Sequence, residues 1–211
     1  MSQSTNLKDL ERKMYRTYFD DGSWDIYIGL LLIWNTLFGL LLTSIQPEAL
    51  RYGVMLLGFL LIAFVPNLMR KYITAPRLGK VEFSKARKRR ISKMKFFVFF
   101  AVLLTANLVL ITAIVLRNPT LSAESQTRSS FPIAVGFFIA LIFAGLAYYL
   151  DFNRMFFYAA AIGAAITSTM IFDNPISYMI AGFPMVIIGL IYLSRFIKTY
   201  PKPDKVLNHG S

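Results

Sequence analysis

The chain has 211 residues, of which 56% are hydrophobic and 15% aromatic, and it carries a formal net charge of +12 at pH 7. A soluble domain has too little interior to bury so much apolar surface, so this composition excludes an ordinary soluble fold and favours a membrane protein. With no cysteine, and with the single histidine, His209, in the C-terminal tail, neither a metal site nor a cofactor is predicted.

The first predicted element is a cytosolic amphipathic segment over residues 1–20. Leu7, Leu10, Met14 and Tyr18 recur at helical spacing, and basic residues fill the other face. This pattern is typical of a short helix that lies along a membrane surface. A frayed tail is the alternative, and the pattern leaves both open.

Six apolar runs follow, each long enough to cross about 30 Å of hydrocarbon as a helix. The predicted spans are 24–44, 49–69, 96–116, 131–150, 155–172 and 176–196. Their length and continuity favour helices over the alternating strands of a barrel. We therefore predict an all-α, polytopic integral membrane protein. Its six transmembrane helices form three hairpins within residues 21–198, and a cytosolic tail follows at 199–211.

Basic residues concentrate between the second and third spans and set the predicted orientation. Eleven of the 23 lysines and arginines lie at 70–95, where Glu82 is the only acid. Because short basic loops are held on the cytosolic side, we predict that this loop and both termini are cytosolic. The expected location is the cytoplasmic (inner) membrane.

Two stretches near the cytosolic ends of the first two spans carry a recognisable pattern. The first reads Asp-Gly-Ser-Trp-Asp-Ile at 21–26, where Ser23 is a candidate N-cap for the first span, and the second reads Pro-Arg-Leu-Gly-Lys-Val at 76–81. Together they resemble patterns found in uncharacterised prokaryotic polytopic membrane proteins. The resemblance implies a polytopic membrane fold and a prokaryotic source, and it brings no activity with it.

The same two stretches predict an ion pair on the cytosolic side. Pro76 and Gly79 are typical of a turn, which would fix Arg77 in place. An arginine fork can grip a carboxylate with two hydrogen bonds. We therefore expect Arg77 to pair with Asp21 or Asp25 and to hold the loop against the first span.

The basic run within the loop predicts contact with anionic lipid head groups. The candidates are Arg87, Lys88, Arg89 and Arg90, since each basic residue near a membrane surface contributes about 1 kcal/mol. An acidic protein partner is the alternative for this run. Nucleic acid is not an expected partner, because no recognisable nucleic-acid module accompanies the run. A second copy of the chain or another membrane protein is a further candidate partner.

Polar residues within the spans are few and uncharged. No Asp, Glu, Lys, Arg or His lies deep in any predicted span, which disfavours proton-coupled transport. Amide and hydroxyl side chains remain at comparable depth on the outward-running spans, at Asn35, Thr36, Asn107 and Thr167. They predict either hydrogen bonds between helices or one shared polar layer that admits a solute.

Glycine marks the returning helix of each predicted hairpin. Gly58, Gly136 and Gly182 each precede a phenylalanine near the outer end of that helix, which would relate the three hairpins as a repeat. The fifth span is rich in alanine and glycine, small residues that let helix backbones approach closely.

These features favour a non-catalytic membrane module that packs with a partner or interacts with lipid. The alternative is a transporter or channel for a neutral or lipophilic small solute, which requires a water-accessible passage lined by Asn35 and Asn107. An enzyme is not predicted, because the spans hold no paired carboxylates, metal-ligand cluster or activated nucleophile. The only candidate for catalysis is an interfacial site built on Asp20, Asp21 and Asp25.

Overall fold

The structure is a computed structural model that describes residues 21–41, 45–78, 89, 92–101 and 125–201. All the regular elements in these ranges are helical, so the all-α prediction is confirmed for them. The helices are α1 (Ser23–Leu41), α2 (Glu48–Met69), α3 (Ala75–Leu78), α4 (92–101), α5 (Ser125–Leu150), α6 (Arg154–Phe172) and α7 (Ile176–Thr199). A π-helical segment, Arg70–Thr74, joins α2 to α3.

Among the residues that the structure describes, five helices are long and apolar enough to cross a membrane. They are Ser23–Leu41, Ala49–Arg77, Ser130–Leu150, Arg154–Phe172 and Ile176–Thr199. Each corresponds to one of the predicted spans. Of the predicted third span, 96–116, the structure describes only the helical part up to Ala101, so the count of six spans stays a prediction. The predicted amphipathic segment, 1–20, and all of the tail beyond residue 201 also lie outside the described residues.

The surface of these helices suits a bilayer better than water. In α2 only 11% of the apolar window is buried within the protein, and Leu57, Leu61 and Phe64 are all exposed along it. A contiguous apolar surface of this extent is rare on a soluble monomer, whereas lipid tails cover it without cost. The fold is therefore that of a helical membrane protein.

The chain divides into two units, each compact by itself. Unit 1 contains residues 1–82 and 179–211, and unit 2 contains residues 83–178. In unit 1, α1 packs against α2 where the ring of Trp34 lies over Gly58, and the Trp34 indole N–H donates to the Met55 carbonyl at 3.2 Å. Gly58 has no side chain to block the ring, so this glycine of the predicted repeat is a packing position.

On its other side α1 packs against α7 at two pairs of glycines. A Cβ atom added to Gly29 would lie 2.7 Å from the Gly182 carbonyl oxygen, and one added to Gly182 would lie 2.7 Å from the Gly29 carbonyl oxygen. Gly22 and Gly189 make the second close approach, about two helical turns away. Residue numbers rise on α1 as they fall on α7, so the helices are antiparallel, with backbones close enough that only glycine fits.

In unit 2, α5 and α6 form a helical hairpin through a tight turn. Asp151 adopts a left-handed conformation with φ of 54°, and the Phe152 N–H donates to the Ala147 carbonyl at 3.1 Å, as in a Schellman C-cap. Farther along the hairpin the helices cross at Gly136 and Gly163, where a Cβ added to Gly163 would lie 2.7 Å from the Gly136 carbonyl oxygen.

The turn predicted from Pro76 and Gly79 does not begin at Pro76, since the chain remains helical from Glu48 to Leu78, and Gly79 lies outside the described residues. Pro76 has no N–H to donate to the preceding turn of this continuous helix. The helix instead changes its hydrogen-bond spacing just before this residue.

Candidate functional site

A buried polar cluster lies at the N-terminal end of α1. Asp21, Ser23 and Thr74 each expose 1% of their surface or less. One carboxylate oxygen of Asp21 accepts the backbone N–H of Ser23 at 2.9 Å and its hydroxyl at 2.6 Å. The other oxygen accepts the Thr74 hydroxyl at 2.7 Å. Both oxygens are thus hydrogen-bonded, which offsets the cost of burying the carboxylate.

The sequence Asp-Gly-Ser produces the local geometry of this cluster. Gly22 has φ of 77°, a conformation that favours glycine, and it turns the chain so that the Asp21 carboxylate accepts the first amide N–H of the helix, two residues later. Ser23 was the predicted N-cap. That assignment is wrong, because the helix begins at Ser23 itself and the Gly22 carbonyl accepts its first backbone bond, from the Ile26 N–H at 3.1 Å, which places Gly22 at the N-cap position.

Thr74 reaches Asp21 from the end of the π-helical segment. The Ala75 N–H donates to the Arg70 carbonyl, five residues earlier, where an α-helix would use a spacing of four. The wider turn inserts one extra residue and so changes which side chain faces α1. Pro76 follows two residues after Thr74 and disfavours the α-helical conformation just before it, which explains why the helical turn widens at this point.

Arg77 donates its described hydrogen bond to the helical turn just before it. Its guanidinium donates to the Ile73 carbonyl at 2.7 Å, whereas Asp21 binds Thr74. The described hydrogen bonds of Asp21 and Arg77 therefore do not join these two residues. Asp25, the other predicted partner, is fully buried in the first turn of α1, where a negative charge suits the helix dipole.

A second contact also joins the start of α1 to the π-helical segment. The guanidinium carbon of Arg70 lies 5.6 Å from the centre of the Trp24 ring, within cation–π range. The stretch at 21–26 is thus held to the segment that precedes Pro76 by two side chains, Thr74 and Arg70. The described contacts therefore join the stretch at 21–26 to the π-helical segment Arg70–Thr74, which precedes the stretch at 76–81.

The predicted polar layer divides between the two units. In unit 1 the Asn35 amide donates to the Leu31 carbonyl at 2.8 Å, and the buried Thr36 hydroxyl donates to the Leu32 carbonyl at 3.4 Å, so both bond their own helix. In unit 2 the Thr167 hydroxyl donates across the hairpin to the Pro132 carbonyl at 3.3 Å, in the space that Gly136 leaves open. Asn107 lies outside the described residues, and the shared layer stays a prediction.

A groove of about 590 Å³ lies on unit 2. It is lined by Ser92, Lys93, Phe96, Phe97, Phe100 and Tyr149. The rings pack in pairs: the Phe96 and Phe100 centroids are 4.7 Å apart, and those of Phe97 and Tyr149 are 5.5 Å apart. A hydroxyl and an ammonium group stand at the start of α4, and the aromatic rings follow. We refer to this feature as the aromatic groove.

A smaller groove of about 390 Å³ lies on unit 1, along α7. It is lined by Ile187, Leu190, Ile191, Ser194, Arg195 and Lys198. Its chemistry matches that of the aromatic groove in one respect, because an aliphatic stretch leads to a hydroxyl and two exposed cations. We refer to it as the aliphatic groove.

The residues predicted to contact lipid head groups are not among those that line the two grooves. Arg89 is exposed, as a head-group contact requires, whereas Arg87, Lys88 and Arg90 lie outside the described residues. The aromatic groove was missed, although its residues at 93, 96, 97 and 100 have the spacing of one helix face. The one chemical signal in that pattern is the lysine, which lies about one helical turn before the aromatic rings.

In the part of the chain that the structure describes, no group of three or more His, Asp or Glu side chains is placed to hold a metal ion. Comparison with known protein families, with curated proteins and with solved structures finds no match to this chain.

Proposed function

We propose that this chain is a non-catalytic protein of the cytoplasmic membrane that binds anionic phospholipid in the cytosolic leaflet. It crosses the bilayer six times with both termini in the cytosol. One observation supports the lipid role above others: each unit carries a groove in which an apolar lining leads to a hydroxyl and at least one exposed cation. A phospholipid has the complementary parts, an acyl chain and an anionic phosphate.

The position of the cations fits this topology. Lys93 is the second-last basic residue of the stretch at 70–95, and Arg195 and Lys198 lie in the last turns of the final helix. Under the positive-inside rule all three belong to the cytosolic side, where anionic lipids attract basic residues by about 1 kcal/mol each. The exposed apolar faces of the helices then lie against the acyl chains.

The alternative, transport of a neutral solute, has less support. It needs a water-filled passage that Asn35 and Asn107 share, but the Asn35 amide already donates to a carbonyl of its own helix. Apolar grooves that end in cations favour lipid over a small neutral solute, because they supply one cationic end and few neutral polar groups.

Lipid selectivity in reconstituted membranes tests the proposal. Spin-labelled phosphatidylglycerol and phosphatidylcholine with the same labelled chain differ only in the head group, and electron paramagnetic resonance measures how each associates with the protein. We expect phosphatidylglycerol to associate about fivefold more strongly or better, and the preference to shrink as salt is raised. Equal association of the two lipids at low salt would contradict the proposal.

A further inference from the structure

We propose that the aromatic groove is a binding site for one anionic phospholipid molecule. The phosphate lies at Lys93 and Ser92, and one acyl chain lies along Phe96 and Phe100. This inference rests on the proposed function and deepens it, because it replaces general attraction to a charged membrane surface with a defined site.

The register of the groove along α4 supports this assignment. Lys93 and Phe100 are seven residues apart, which is about 10 Å along a helix. The groove therefore runs from the depth of the head groups into the hydrocarbon when Lys93 is placed at the cytosolic interface. Lys93, Phe96 and Phe100 share one helix face, so the cation and the rings open into the same space.

One wall of the groove is packed against the rest of unit 2, and the other wall is exposed. The Phe97 ring occupies the space beside Gly145, where an added Cβ atom would collide with it, and it packs against Tyr149. On the other wall Phe96 and Phe100 remain 65% and 47% exposed. A lipid chain can cover these rings, and because one wall is already packed in place, less ordering is needed on binding.

The charge of the lining selects an anion. Lys93 offers three N–H donors, and the Ser92 and Tyr149 hydroxyls are further donors for phosphate oxygens. None of the six lining residues is acidic. The aliphatic groove has cations of its own, Arg195 and Lys198, but none of its lining residues is aromatic. We therefore assign the defined site to unit 2.

Matched variants on one helix test the role of Lys93. Lys93 and Lys95 are both exposed, two residues apart on α4, but only Lys93 lines the groove. Native mass spectrometry from a mild detergent, with added phosphatidylglycerol, measures retention without a charged bilayer surface. We expect one tightly retained lipid per chain. Lys93→Gln should weaken it about tenfold or more, as for a lost charged hydrogen bond. Lys95→Gln should change it by about twofold at most.

A second matched pair tests the acyl-chain wall. Phe99 and Phe100 are neighbouring exposed rings, and only Phe100 lines the groove. Phe100→Ala should weaken retention of both phosphatidylglycerol and phosphatidylcholine about fivefold or more, because it removes apolar contact area. Phe99→Ala should change both by about twofold at most, because the Phe99 ring touches the edge of Phe100 but does not line the groove. All four side chains are exposed, so we expect each variant to keep its helical circular dichroism.

The outcomes separate the site from the general function. Equal effects of Lys93→Gln and Lys95→Gln, or of the two phenylalanine variants, would overturn the site even if the membranes still show a preference for phosphatidylglycerol. Loss of that preference in the unaltered protein would reject the proposed function itself. Displacement of the retained lipid by excess soluble glycerol phosphate would assign the site to free phosphate and overturn the lipid assignment.

Discussion

In each of the two units, a pair of helices crosses at facing glycines, but the polar groups near the two crossings differ. In unit 1, α1 and α7 approach at Gly29 and Gly182, and in unit 2, α5 and α6 approach at Gly136 and Gly163. In both crossings an added Cβ would lie 2.7 Å from the carbonyl oxygen of the opposite glycine. Lipid tails are as apolar as the helix surfaces, so close backbone packing replaces the hydrophobic force that drives association in water.

The difference between the units lies in the buried polar groups beside each crossing. In unit 2 the Thr167 hydroxyl makes a neutral hydrogen bond across the hairpin to the Pro132 carbonyl. In unit 1 the α1 helix begins with the buried carboxylate of Asp21, which binds Ser23 and Thr74. A buried charge that loses a partner costs more than a neutral group does, so unit 1 should tolerate fewer changes at its polar contacts.

The largest expected effect is at the second glycine pair of unit 1. Gly22→Ala combines an unfavourable φ of 77° with a direct conflict between the new Cβ and the Gly189 carbonyl. We expect a loss of about 3 kcal/mol or more, since strain and overpacking each cost about 1 to 3 kcal/mol. Reversible unfolding in mixed detergent micelles measures this loss.

Gly53→Ala is the matched control for that change. Apart from the backbone of its own helix and its chain neighbours, no atom of the described residues lies within 4 Å of the Cβ position of Gly53, and alanine favours helix over glycine. We expect the control to be neutral or to stabilise by a few tenths of a kcal/mol. A loss of similar size in both variants would mean that the contact with Gly189 does not hold α1 and α7 together.

Next in size is the contrast between the two threonines. Thr74→Val keeps the side-chain shape but takes one partner from the buried Asp21 carboxylate, and we expect a loss of about 2 kcal/mol. Thr167→Val removes a longer, neutral bond, and we expect about 0.6 kcal/mol. The same unfolding assay compares them, and equal losses would show that the charge of Asp21 adds nothing to the contact.

Much of the fold was accessible from hydropathy. The predicted span 131–150 appears as Ser130–Leu150, and 155–172 as Arg154–Phe172, because the length of an apolar run directly sets the length of a spanning helix. The glycines of the predicted repeat mark helix contacts, since Gly58, Gly136 and Gly182 each lie where a neighbouring helix approaches. The relation among three hairpins stays a prediction.

The contacts of the buried cluster were less accessible. The pattern at 21–26 and 76–81 led to Arg77, yet the Asp21 partner is Thr74, which comes just before the second pattern. A π turn shifts the side chains that follow it, and the sequence marks this shift only through Pro76. The aromatic groove was hidden for a simpler reason: phenylalanine at helical spacing is common in any membrane helix, so Lys93 gave it the only chemical signal.

The smallest loss of stability is expected at Asn35, in the middle of α1, in contrast to the buried polar cluster at the N-terminal end of that helix. The Asn35 amide donates to Leu31 of the same helix, a bond that an α-helix does not need for its own stability. We therefore expect Asn35→Leu to change stability by about 0.5 kcal/mol or less and to leave solute flux across liposomes at the level of protein-free vesicles. A loss near that of Thr74→Val, together with a flux that the variant abolishes, would instead place Asn35 in the shared polar layer and restore the transport alternative.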